Sequence, residues 1–229
     1  MTEEYSRKQV VGLLKEKAQL KQKVYDHTLE AFKLLKNLQQ KTVDEYNKQL
    51  QDADARVQLK YRSRGEFESE LKVAGDLLLF SMHSNIFEFD REHHIWSLPY
   101  VKQDLLNSYC GIIQVYNFLS DSFKYNREED LGYMITRIFI NHENHFFVEG
   151  KRQGDFSYKH FGEQAVTRES LATIVQTAIQ YALQFDLLVP PYDHVKIASV
   201  AQMNQKIIAS KLQTGKRLGF KFNSDDVQE

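Results

Sequence analysis

Between Gly12 and Gly65 the chain carries neither glycine nor proline. Leu, Lys, Glu, Gln and Ala fill that stretch in the proportions of a solvated helix, which predicts a helical arm over residues 1–64. At 1.5 Å per residue, about fifty residues reach about 75 Å, more than a domain of this size can cover. Part of the arm is therefore expected to project or to pair. Val10, Leu13, Leu20, Val24, Ala31, Leu34 and Leu38 repeat at three- and four-residue steps. After a phase change at 39–42, Val43, Tyr46 and Leu50 resume the stripe. Such a break is expected of a coiled-coil discontinuity or a bend. Self-association through these residues is the leading expectation. A helical hairpin, or a helix packed on its own domain, is the competing arrangement.

Behind the arm the pattern shortens. Residues 62–70 read as a hinge or a new helix start. The runs 77–82, 86–89 and 95–98 read as short strands with a turn at 90–93, closed by Pro99. Residues 101–123 place Val101, Leu105, Tyr109, Ile112, Ile113, Tyr116, Leu119 and Phe123 at helical steps, predicting a helix in which Gly111 permits close packing on a sheet. Residues 133–141 and 145–149 are β-branched and aromatic around a polar turn, which predicts a hairpin. Thr167 opens a further helix to about Gln184. Residues 195–200 suit a strand and 201–212 a helix, and the polar tail 216–229 is expected to fray. Residues 85–93 and 137–145 share an Ile-Phe pair and a His seven residues after the Ile. Used twice, a hairpin–helix unit gives a four-stranded sheet, although two unrelated hairpins explain the echo equally. The fold class expected is α+β: a long helical arm, then an antiparallel sheet of two hairpins packed with two to three helices across residues 65–215.

Composition narrows this picture. A net charge of −1 gives the whole chain no electrostatic bias toward nucleic acid or an anionic membrane. The arm is mildly basic, with fourteen Lys and Arg against nine Asp and Glu in residues 1–64. Cys110 is the single cysteine, which excludes an intramolecular disulfide and multi-thiolate zinc sites. The N-terminus lacks a signal-peptide apolar region, and no run approaches the ~20 residues of a transmembrane helix, so a cytoplasmic protein without membrane insertion is expected.

Three constellations bear on chemistry. His93, His142 and His145 stand in the expected turns, where imidazoles with neighbouring carboxylates suit a first-row metal if the turns converge. Glu149 and Lys151, two apart at a strand end, match the metal and charge-stabilising pair of a nuclease-type site that lacks its second carboxylate. Phe156, Tyr158 and Phe161 lie in an expected loop as an aromatic partner-binding patch. There is no glycine-rich phosphate loop and no nucleophile elbow. The leading expectation is a non-enzymatic assembly or adaptor protein, homo-oligomeric through its arm, binding another protein and needing no cofactor. The alternative is a metal-dependent, nuclease-like enzyme or a nucleic-acid-binding module.

Overall fold

The computed structural model describes residues 2–128, 130–150, 156–186, 191–197 and 199–201. The N-terminal helix runs without a break from α1 (Thr2–Leu13) through a π-helical stretch (Leu14–Ala18) into α2 (Gln19–Gln49). It stops at Leu50, not at residue 64, and no bend occurs at 39–42. The phase change there has another cause. A straight helix of 3.6 residues per turn drifts away from a seven-residue repeat, whereas an eleven-residue step keeps to one face. Val24–Leu35–Tyr46, Thr28–Gln39–Leu50 and Phe32–Val43 are such steps, and all eight residues are buried or packed against the core. The shift marks a straight helix lying along its own domain. The irregularity sits earlier, in the π stretch.

The chain turns back after α2 because Asn47 holds Leu59 at two points: its amide donates to the Leu59 carbonyl and its Oδ1 accepts the Leu59 N–H, both at 2.9 Å. Six strands then form one antiparallel sheet in chain order: β1 (Lys60–Ser63), β2 (Glu68–Val73), β3 (Asp76–Met82), β4 (Gly111–Leu119), β5 (Tyr133–Ile140) and β6 (Phe146–Gly150). The hinge expected at 62–70 is the β1–β2 hairpin. The echoed segments are not a duplicated unit. Residues 137–145 belong to the β5–β6 hairpin, whereas residues 85–93 make one bridge, Phe87 to Cys110. Residues 95–98 are not a strand either, since the ring of His93 caps a short 3-10 turn, His94–Ser97.

The helix expected over 101–123 is corrected most. Only α3 (Pro99–Gln103), a 3-10 turn (Leu105–Ser108) and α4 (Ser120–Lys124) are helical, and β4 is a central strand. Burial alternates along it: Gly111, Ile113, Val115 and Asn117 are buried, and Ile112, Gln114, Tyr116 and Phe118 are half-buried. In a run this rich in apolar residues, a period of two and a period of three to four are both satisfied. The pairing offered by β3 and β5 decides for the strand.

Helix α5 (Arg168–Leu183) begins as expected, with Thr167 and Ser170 in a reciprocal capping box. It packs beside α2 on one face of the sheet, and the two helices close the main core over Leu71, Leu78, Phe80, Ile113, Val115, Ile138 and Phe146. A smaller core on the opposite face joins Phe139 and Phe147 to Ile95, Val101, Cys110 and Phe161 from the surrounding connections. Residues 192–195 form a short α6 (Tyr192–Val195) where a strand was expected from 195. The helix expected at 202–212 and the tail lie outside the described residues.

One core residue breaks the apolar pattern. Gln39 is fully buried, and neither its amide nitrogen nor its oxygen meets a hydrogen-bonding partner among the described residues. Burying an unpaired amide opposes folding by about 1–3 kcal/mol. Gln39→Leu, of similar volume, is expected to raise stability by about 1–2 kcal/mol in urea unfolding. An unchanged or lowered midpoint would show that the amide is satisfied in the folded protein.

Candidate functional site

The hairpin register sets Arg137 opposite Glu149 on the outer face of β5 and β6. Two guanidinium donors reach one oxygen of Glu149: Arg137 Nη2 lies 2.5 Å and Nε 3.1 Å from Oε2. His93 reaches the other oxygen, with Nε2 3.0 Å from Oε1. The His93 Nδ1 accepts the Ile95 N–H at 3.2 Å, so the ring proton sits on Nε2 and is donated to Glu149. Phe89 lies against the His93 ring (4.7 Å between centroids) and against Phe139 (4.9 Å). The Arg137 guanidinium lies over Phe139 at 5.3 Å. These residues border a cleft of about 270 Å³, completed by Phe87, Glu88, Asp90 and Ile112.

A second polar group ties the β5–β6 turn to the connection between β3 and β4. The Tyr100 hydroxyl donates to Glu143 Oε2 (2.5 Å) and accepts from Asn141 Nδ2 (2.7 Å). Its remaining partner is His145 Nδ1 at 2.9 Å. A hydroxyl has one proton, and the carboxylate takes it, so His145 must carry its proton on Nδ1. Burial, and then the bond to Glu143, push the Tyr100 phenol well above the usual tyrosine range, so it stays protonated. Burial pushes the His142 imidazole below the ordinary histidine value. The Cys110 thiol is raised by complete burial, which leaves it without thiolate character.

The candidates named from the pattern fall into different places. Glu149 is not part of the cleft lining; it binds two residues that are, and both of its oxygens are taken by Arg137 and His93. Lys151 lies outside the described residues. The nearest carboxylate ahead of β5, Asp130, does not supply the lacking second one, since it accepts from Ser122 and Arg127. The histidines do not converge. His93 is bound at Glu149 on β6, and His145, just before β6, is bound at Tyr100; positions 145 and 149 are four residues apart, or roughly 13 Å along extended chain. Among the described residues no three His, Cys, Asp or Glu side chains are placed to hold a metal ion. The aromatic patch is also dismantled: Phe161 is buried in the smaller core, Tyr158 packs against that core and stacks on His94, and Phe156 packs on Phe146.

Of the arm residues, Val24 is fully buried, Leu38 and Val43 are buried in the main core, and Leu34, Tyr46 and Leu50 pack against it. Leu20 is half-buried, while Val10 and Leu13 stay exposed. The residues missed from the pattern are Arg137, Phe89, Tyr100 and Asn141. Centring the expected hairpin on its turn pairs Arg137 with Glu149, so that partner was available. The arrival of His93, 56 residues earlier in the chain, has no local signal.

No protein-family model, curated protein or solved structure matches this chain. No described helix is long and apolar enough to cross a membrane.

Proposed function

We propose that this chain is a non-enzymatic assembly or adaptor protein that self-associates through the first turns of its N-terminal helix. The observation that carries this reading is the exposure of large apolar side chains there: Val10 at 53 %, Val11 at 48 %, Leu13 at 61 % and Leu14 at 59 %. Clustered apolar residues left open to water favour a partner surface. The arm's stripe thus divides in two. From Val24 onward it serves the chain's own sheet, and before Leu20 it is offered outward. The π stretch lies at the junction, where an added residue per turn re-aims the side chains on either side. A nuclease-type alternative is disfavoured because Glu149 would have to give up both Arg137 and His93 before it could hold a metal.

Light scattering coupled to size exclusion tests the reading on the full chain. Wild-type protein is expected to be a dimer or larger at tens of micromolar. The double substitution Val10→Glu with Leu13→Glu is expected to return it to a monomer with its circular-dichroism spectrum unchanged, since both side chains are exposed. A wild-type monomer at every concentration, or a variant that associates as before, would overturn it.

A further inference from the structure

The cleft at Arg137 is not used by the assembly reading. We propose that it binds a small organic cation, an ammonium group carrying an apolar or aromatic substituent. Three features converge on that chemistry.

The first is the wall. Phe87, Phe89, Phe139 and Ile112 line the cleft; Phe87 is 39 % exposed, with the His83 ring edge-on to it at 4.7 Å. The faces of aromatic rings carry partial negative charge and attract cations, most strongly where water is thinned. The wall already holds one such contact, the Arg137 guanidinium over Phe139.

The second is charge. Arg137 is answered by Glu149, and the His93 proton is donated to the same carboxylate. Glu88 meets Arg91 at the rim (3.2 Å) and accepts from the Tyr109 hydroxyl (3.2 Å). Lys17 and Lys21 lie on the Tyr109 ring, and Lys17 adds its positive charge on the Glu88 side of the cleft. Asp90 accepts the Glu92 N–H through Oδ1 at 2.9 Å and meets no cation among the described residues. Glu88 and Glu149 are thus each answered by cations, and Asp90 is the lining carboxylate that meets none among the described residues. A bound ammonium supplies Asp90 with the cation it lacks. An anion would meet an arginine already neutralised, beside three carboxylates.

The third is size and rigidity. About 270 Å³ is the space of roughly nine waters at ~30 Å³ each, enough for a substituted ammonium but not for a peptide segment. The Arg137–Glu149–His93 chain of bonds fixes one wall, so little ordering is needed on binding.

The test is an NMR titration of the full-length protein, following the Ile112 methyl and His93 ring signals. Benzyltrimethylammonium is the probe, with benzyl alcohol as its neutral counterpart and phenylacetate as the anionic one. The ammonium is expected to shift both signals saturably in the millimolar range, and the two counterparts to shift neither to saturation. Phe87→Leu and Asp90→Asn are each expected to weaken the ammonium about ten-fold, the size of a partly desolvated cation–π contact or a lost charge. Phe87 is part-exposed, and asparagine keeps the Oδ1 that accepts the Glu92 N–H, so both variants are expected to fold. Equal binding of phenylacetate or benzyl alcohol, absence of a saturable shift with the ammonium, or unchanged affinity in both variants would each overturn the proposal. None of these outcomes bears on the oligomeric state, so the two readings fail separately.

Discussion

Gly111→Ala is expected to destabilise the protein by about 3 kcal/mol, the upper end of what overpacking costs. For a chain of this length that lowers the melting temperature by roughly 6–12 °C. A Cβ on Gly111 would stand 2.1 Å from Thr28 Oγ1, 2.8 Å from its Cβ and 2.9 Å from its Cγ2. No rotamer change relieves all three, because Thr28 is fully buried and its hydroxyl is already folded back on the Val24 carbonyl at 2.7 Å. The strain must instead lift α2 from β4, and α2 carries one side of the main core. Thr28→Ala is the control: it removes Oγ1 and Cγ2 but not Cβ. The double variant is expected to be about 1–2 kcal/mol more stable than the sum of the single effects. Strict additivity in chemical unfolding would show that the two positions do not touch in solution.

This contact also shows how far the sequence could be read. That Gly111 admits something close was legible, but its setting was not. The pattern placed it inside a helix, whereas it opens a strand beneath one. The helix α5 and the β5–β6 hairpin were legible because their start and turn signals, Thr167 and residues 142–144, are local. β3 was legible from its apolar run. β1 and β2 were not: their outward positions are Lys60, Arg62, Glu68, Glu70 and Lys72, and too few apolar residues alternate with them to declare a strand. Only the hairpin partner and the packing of Leu71 and Val73 under α2 and α5 make them one.

The candidate site was legible in pieces. His93, His145 and Glu149 were singled out because they are chemically capable, and all three do sit in polar clusters. The partition between those clusters depends on the path of residues 83–110, which crosses the outer face of the sheet and delivers His93 to one end of β6 and Tyr100 to the other. A chain segment that crosses a sheet by one bridge, two 3-10 turns and the five-residue α3 leaves no periodicity to read. The apolar stripe of the arm was legible as a stripe. Which part of it faces the chain's own sheet follows from where the sheet lies, and a seven-residue template obscured the eleven-residue step that a straight helix needs.

Tyr100→Phe is expected to cost about 2 kcal/mol, near the upper part of the range for a buried polar group that loses its partner. The ring should keep its place, edge-on to Phe161 at 5.2 Å and pressed by Gly162, whose φ of +95° and near approach leave no room for a side chain. The lost hydroxyl affects its three partners unequally. Glu143 is 46 % exposed and His145 25 %, so water can take over both. Asn141 is fully buried, and its Nδ2 has no route to water, while its Oδ1 still accepts the N–H groups of Glu143 and His145. Most of the loss should therefore come from Asn141. Glu143→Gln, which leaves the hydroxyl and its bond from Asn141 in place, is expected to cost under about 1 kcal/mol, the scale of an exposed polar contact. A second readout separates the hydrogen bond from mere packing. With the phenol absent, the His145 Nδ1 proton loses its 2.9 Å acceptor and keeps only the Glu143 carboxylate at 3.6 Å, so the ring ¹⁵N shifts should move in Tyr100→Phe and hold in Glu143→Gln. Equal destabilisation by the two variants, or unmoved His145 ring ¹⁵N shifts in Tyr100→Phe, would mean that the hydroxyl does not anchor the turn.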